Sequence, residues 1–296
     1  MKTILVLTDF SVGADHAAHY ALKLAQKIKA NLLLCHIIEQ GGANPNTALA
    51  AWPIVNYSSF ETESMIDLAD LAGRLKKQVN KNVHPGDFEP LIEQYCKPGS
   101  ITDTIDEIAK SRHLLMAVIS MHNDEGLSAL LFNNHASEII EGANCPVLVV
   151  PYQAQFAGFR KISFATDLTH SGTEVLHSLY GLTKYFDSDI LITHVADEEP
   201  EEPEEQSVID RFFNNETAMK NYPRVSYQAI KSKSVTAGLD WLAEHTDIDL
   251  LVLVHRKRNF FQKIFAGSIT QKMAGHLIKP MLVFPGSAVP ETLPVF

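Results

Sequence analysis

Two aspartates, Asp9 and Asp167, stand where an apolar run stops. Residues 2–11 read Lys-Thr-Ile-Leu-Val-Leu-Thr-Asp-Phe-Ser, and residues 160–169 read Arg-Lys-Ile-Ser-Phe-Ala-Thr-Asp-Leu-Thr. Each stretch has a basic start, a β-type run, then Thr-Asp, an apolar residue and a hydroxyl residue. A fully apolar run of this kind is the signature of a parallel strand buried on both faces. The first polar groups after such a strand lie at its carboxyl end, where open α/β sheets form their binding crevice. Asp9 and Asp167 have no base close by in sequence, so ligand binding is the chemistry these positions offer and general acid–base catalysis has no specific support.

Other reactive residue types give less. The 13 histidines include His16 and His19 on one helix face. No second ligand pair accompanies them, and zinc needs three or four converging ligands, so they are expected on the helix surface. His36 and His194 interrupt apolar strands and are expected at a core or crevice edge. The three cysteines, Cys35, Cys96 and Cys145, form no C-x-x-C, which leaves no disulfide framework or zinc site in view. Cys96 and Cys145 are expected to be buried structural residues. No Gly-x-Ser-x-Gly elbow is present. Residues 197–205 hold seven carboxylates and two prolines and read as a solvated loop.

At 296 residues the chain has room for about two domains of roughly 100–200 residues each. Hydrophobic content of 46% and charged content of 20% are those of a globular chain with ample core. A net charge of −10 and a pI near 5.7 argue against generic nucleic-acid binding, which needs a basic face. The N-terminus enters a strand pattern without a signal-peptide cleavage site. No apolar run approaches the roughly 18 residues of a membrane span. A reduced, cytoplasmic protein is the expectation.

The elements that would position the aspartates follow from periodicity. After strand 2–9, Ser11 is placed to cap a helix from Ala14 to Lys29, with Ala17, Ala18, Ala21, Leu24, Ala25 and Ile28 on one stripe. A strand begins at Asn31, and the Gly-, Asn- and Pro-rich stretch 41–58 reads as a loop. A helix over 59–82, a strand over Phe88–Tyr95 and a helix with Ile101, Ile105 and Ile108 inward come next. A strand over Leu114–Met121, a short helix over 135–142 and a strand over Pro146–Pro151 complete the half. The second half repeats the order. Its strands are Lys161–Asp167, Asp189–Val195, Val225–Ile230, Asp249–Val254 and Pro280–Pro285. Its helices are marked by Val175, Leu179, Leu182 and Phe186, by 207–221, by Val235, Leu239 and Leu242, and by 268–277. Strands alternating with helices imply a parallel sheet covered on both faces.

The repeat is arithmetical. Asp9 and Asp167 are 158 residues apart, as are His36 and His194. Ile101, Ile105 and Ile108 precede Val235, Leu239 and Leu242 by 134, the spacing that also separates Pro146 from Pro280 and Pro151 from Pro285. Two blocks at fixed offsets, with the 24-residue difference falling between the second strand and the third helix, are explained by an internal duplication.

On these motifs (ILVLTDFS and ISFATDLT, LLLCHI and LITHV, ANCPVLVVP and IKPMLVFP) the chain resembles a tandem universal stress protein. The resemblance covers nearly all of both halves. It implies two doubly wound, five-stranded, Rossmann-like α/β domains of the adenine-nucleotide alpha-hydrolase kind, over 1–153 and 154–296. It also implies that the closing strands 146–151 and 280–285 pair, making a pseudo-dimer within one chain. A homodimer of whole chains is a further assembly this kind of fold could build.

In nucleotide-binding members of that family the first-strand Asp contacts the ribose or adenine region. A residue after the second-strand His flanks adenine, and a G-x2-G-x9-G-[ST] loop wraps the phosphates. The glycines allow close backbone approach, and the last pair opens a helix whose N–H groups face the anion. Here the second half keeps only Gly267-Ser268, with Val254 and Lys257 at the two earlier glycine positions and Arg256, Lys257 and Arg258 as replacement charge. The first half has Ser120, Asn123 and Asn133-Asn134 at those positions, the asparagines suiting a helix cap. The expected site is therefore Thr166, Asp167, Val195, Lys257, Gly267, Ser268 and Ile269, with Asp9 as the first-half counterpart. The expected activity is a non-enzymatic stress-response module that takes ATP, ADP, AMP or another anion in the second half. Two other readings are a scaffold with both pockets closed and a slow ATPase, the last disfavoured by the missing glycines.

Overall fold

The computed structural model describes residues 1–38, 57–82, 86–121, 136, 138–168, 170–196, 224–254, 279–285 and 296. In the first half β1 (Lys2–Leu7), α1 (Val12–Ile28), β2 (Asn31–Ile38), α2 (Tyr57–Asn82), β3 (Ile92–Pro98), α3 (Ile101–Ser111), β4 (His113–Met121) and β5 (Val147–Pro151) follow in turn. Residues 138–142 are helical just before β5. The second half supplies β6 (Lys161–Ala165), α4 (His170–Phe186), β7 (Asp189–Ala196), β8 (Val225–Lys231), α5 (Val235–His245), β9 (Leu250–Val254) and β10 (Met281–Phe284).

These strands form one ten-stranded sheet in the order β3-β2-β1-β4-β5-β10-β9-β6-β7-β8. Eight of its strand pairs are parallel. The ninth, β5 with β10, is antiparallel and joins the halves, pairing Val149 with Met281, Leu148 with Leu282 and Val147 with Val283. The expected pairing of the closing strands is thus the seam of the molecule. Because side chains alternate along a strand, each face of the sheet has its own core. Ile4, Val6, Leu148, Phe164 and Leu282 pack under α1, α2 and α4, while Leu5, Val147, Leu251 and Val283 pack under α3 and α5. Both cores run unbroken across the seam.

Helix ends repeat the duplication in detail. Ser11 caps α1, its Oγ accepting the Ala14 N–H at 3.2 Å. Ser100 and Ser234 cap α3 and α5 in the same way, and they are 134 residues apart. Lys29 and Asp187, 158 apart, both take the left-handed conformation (φ 57° and 54°) just after α1 and α4. The segment joining the halves is pinned between α1 and α4. Tyr20 meets Phe156 edge-on at 5.1 Å, Phe159 lies 5.0 Å from Phe186, and His16 Nε2–H donates to the Ala154 carbonyl at 2.7 Å.

Three expectations are corrected here. β3 covers Ile92–Pro98 rather than Phe88–Tyr95: Pro90 lacks an N–H for the ladder, and pairing with β2 starts at Leu91, whose carbonyl accepts the Leu32 N–H. His16 is a half-buried tether to the interdomain segment rather than a surface helix residue. Cys96 is only half-buried because β3 is an edge strand, whereas Cys145 is buried as expected. The helix marked by Val235, Leu239 and Leu242 is α5, and Val235, its first residue, is 47% exposed at the mouth of a crevice. The acidic run 197–205 and the helices expected over 207–221 and 268–277 lie outside the described residues.

Candidate functional site: a crevice in each half

The chain turns the same corner after β1 and after β6. Thr8 N–H donates to the Cys35 carbonyl (2.9 Å) and Thr166 N–H to the Thr193 carbonyl (3.0 Å), extending each strand pairing by one residue. The threonine hydroxyls then accept the N–H two residues on, from Phe10 at 3.0 Å and from Leu168 at 3.2 Å. Phe10 and Leu168 sit at φ 62° and 60°, a left-handed conformation that costs a residue with a Cβ about 1–2 kcal/mol. Each corner is held from a second direction. His36 Nδ1–H donates to the Thr8 carbonyl at 2.8 Å, and His194 Nδ1–H to the Thr166 carbonyl at 2.9 Å. Their place inside apolar strands predicts a core or crevice edge, which is where they lie. Their role as braces is not among the expectations, although Thr–His separations of 28 in both halves carry the signal.

Both corners open onto cavities at the carboxyl ends of the strands. β1 pairs with β2 on one side and β4 on the other, and β6 pairs with β7 and β9, so each crevice occupies the point where strand order reverses. The first-half cavity is about 420 Å³ and is lined by residues from β1, β2, β4, α3 and the 136–142 region, with Asp9 at its rim. Asp9 Oδ1 accepts the Ser11 N–H at 3.0 Å, which couples the carboxylate to the start of α1. The second-half cavity is about 320 Å³ and brings Thr166, Asp167, His194 and Val195 together with Val235 and Leu239. Asp167 is exposed where Asp9 is half-buried. Under the second crevice a buried Ser163 hydroxyl bonds the Thr193 hydroxyl at 3.1 Å. The matching positions under the first are Leu5 and Cys35, and burial pushes the Cys35 thiol up to about 12.

Of the expected site residues, Thr166, Asp167 and Val195 converge on one cavity, and Asp9 lines its counterpart. Lys257, Gly267, Ser268 and Ile269 lie outside the described residues, as do Arg256, Arg258, Asn123, Asn133 and Asn134. The apolar first-half cavity was not anticipated, although the 158-residue offset predicts a partner for any second-half crevice. Among the described residues no group of three or more His, Cys, Asp or Glu could hold a metal ion.

The model of the Universal stress protein family matches residues 1–151 and again 158–285. The chain belongs to the universal stress protein family. Among solved structures, a universal stress protein from Archaeoglobus fulgidus is similar over 97% of both chains at 12% identity, with a TM-score of 0.65. A putative universal stress protein from Pseudomonas aeruginosa matches 97% of this chain and 94% of its own at 14% identity, with a TM-score of 0.53. At these identities the likeness is one of fold. No curated protein matches the chain in sequence. The two family matches meet the two halves of the sheet, so this universal stress protein carries the domain twice. Among the described residues no helix is long and apolar enough to cross a membrane.

Proposed function

We propose that this universal stress protein is a non-enzymatic stress-response module that binds an adenine nucleotide, or a comparable anion, in its second half. The observation that carries this reading is the convergence of Thr166, Asp167 and Val195 on one crevice at the strand-order reversal. Asp167 supplies an acceptor for ribose-type hydroxyls, and Val195 and Leu239 supply apolar wall for a base. The chain after β9 is rich in cations, with Arg256, Lys257, Arg258 and Lys263 ahead of Gly267-Ser268. Charge of that sign favours phosphate.

This reading takes no turnover because Val254 and Lys257 replace the first two glycines of a phosphate-wrapping loop. His194, the nearest candidate base, has Nδ1–H committed to the Thr166 carbonyl, where it braces the corner. That bond orients the ring as part of the frame.

Titrating the full chain with ATP, ADP and AMP by calorimetry tests the proposal. Saturable binding that falls about 10-fold or more in Asp167→Ala is expected, the size of a hydrogen bond to a charged group. Phosphate release at the buffer rate is expected throughout. No saturation at millimolar ligand leaves the scaffold reading in its place, and release above background replaces the module with an ATPase.

A further inference from the structure

The first-half crevice differs from the second in charge as well as size. Its walls are Leu7, Ile37, Ile101, Ile119 and Ile139, and the Cys35 thiol at its floor is neutral. The His36 ring is held by Thr8 and packs against Phe10 with centroids 4.5 Å apart, so it is a fixed wall. Among the described residues of the lining Asp9 is the one carboxylate, and none is a Lys or Arg. The sequence deepens this asymmetry. No Lys or Arg occurs between Arg112 and Arg160, a stretch that includes β4 and everything between it and β5. The segment that corresponds to the cationic 255–269 instead carries Asp124 and Glu125. A phosphate brought to this crevice meets a carboxylate at the rim and no countercharge from those segments, an arrangement that repels it.

We propose that the first-half crevice is a second, separate binding site for a compact, mainly apolar small molecule that carries a hydrogen-bond donor and no phosphate. The cavity of about 420 Å³ lies within the roughly 300–1,000 Å³ usual for small-molecule pockets. Apolar walls drive uptake by removing the ligand's surface from water. One carboxylate then orients it, because a hydroxyl or amine N–H can donate to Asp9. Asp9 Oδ1 is already engaged by the Ser11 N–H, which fixes the carboxylate and leaves Oδ2 to face a ligand. This site is independent of the nucleotide reading of the second half.

N-phenyl-1-naphthylamine, a neutral three-ring aromatic amine that brightens in apolar surroundings, is the probe for the test. Added to the full chain, it should bind saturably at about one per chain, and millimolar ATP should not displace it. Ile101→Trp and Ala136→Trp fill the cavity from two different walls. Each should weaken binding by about 10-fold or more, since either bulky ring takes ligand volume. Asp9→Asn, which keeps the shape and removes the charge, should weaken it by a smaller factor. Thermal melts of each variant verify that it folds, and two filling positions guard against one of them failing to. Non-saturable uptake overturns the proposal. So does uptake unchanged in both tryptophan variants, which puts the probe elsewhere. Displacement by ATP that disappears in Asp9→Asn also overturns it, by making the first crevice a nucleotide site. The calorimetric ATP titration of Asp167→Ala is read separately, so the two sites stand or fall on different measurements.

Discussion

The two halves have the same corner and different crevices. In each, a Thr hydroxyl turns the chain, a left-handed residue follows, and a histidine 28 residues on braces the threonine carbonyl. Beyond that corner they part. The first crevice is larger, apolar-floored and bordered by residues 113–159, which hold no Lys or Arg, and its Asp9 is half-buried. The second stands over a Ser163–Thr193 hydroxyl pair, exposes Asp167 and precedes a cluster of four basic residues. After duplication, the elements that make the fold have stayed in register while the residues around the crevices have diverged. Frame residues are tied to one another by hydrogen bonds and packing, so a change in one costs stability. Rim residues answer only to what they bind.

The comparison assumes two sites in one cooperative body, and the seam tests that. Leu282 is 1% exposed and pairs with Leu148 across the antiparallel contact between β5 and β10. Leu282→Ala should cost about 2–5 kcal/mol by leaving a cavity in a core shared by both halves. Calorimetric melting should show one transition, shifted down as a whole. Two transitions, with only one displaced, would separate the halves and make each crevice the property of an independent domain.

The next largest effect concerns charge. Reversing Arg256 and Lys257 to glutamate should lower ATP affinity by more than about 10-fold at low salt, and 0.5 M salt should shrink that loss because exposed charges are screened. Probe uptake in the first half should not change. Equal loss at low and high salt would mean that the basic cluster acts through packing, and the charge contrast between the halves would lose its functional meaning.

A third test weighs the shared corner itself. His36→Ala and His194→Ala each remove a hydrogen bond to a threonine carbonyl, about 0.5–1.5 kcal/mol. His36 also packs on Phe10, where the second half has Leu168, and an aromatic pair adds about 0.5–1.5 kcal/mol. Urea unfolding should therefore rank His36→Ala as the more costly. The reverse order would show that the braces are not equivalent despite their matching geometry.

Most of the frame was legible in the sequence because it is written twice. Apolar runs, the Ser11 cap, and the 158- and 134-residue offsets predict the element order, and the resemblance to the family implies the pairing of the closing strands. The crossing point of β3 was misread because Phe88 and Leu91 look like strand residues, while the proline between them withholds a donor from the ladder. His16 was misread because its partner, the Ala154 carbonyl, is 138 residues away and offers no side-chain signal. The site was legible in part. Thr166, Asp167 and Val195 follow from motif position, whereas the first crevice depends on which faces of β4, α3 and residues 136–142 meet, a matter of packing that no local pattern records.

The smallest effect comes from the cysteines, all three of which belong to the first half, so thiol chemistry reports that half alone. Burial pushes the thiols of Cys35 and Cys145 up to about 12, and Cys96, on its edge strand, is also raised, with burial the main cause and a Ser64 hydrogen bond opposing it. The thiolate is the reactive form, so at pH 8 iodoacetamide should modify Cys96 first, and Cys35 and Cys145 only when the fold opens. The sign with pH is fixed. A raised thiol value favours the folded state below the ordinary value of 9, and that contribution is lost as pH climbs from 9 toward 12, because the unfolded thiols ionise first. Mass spectrometry of the labelled chain separates the three rates. Cys35 lines the first crevice, so saturating N-phenyl-1-naphthylamine should slow its labelling further while leaving Cys96 unchanged. Labelling of Cys35 that ignores the probe would detach the ligand from the first-half crevice even if binding itself is saturable.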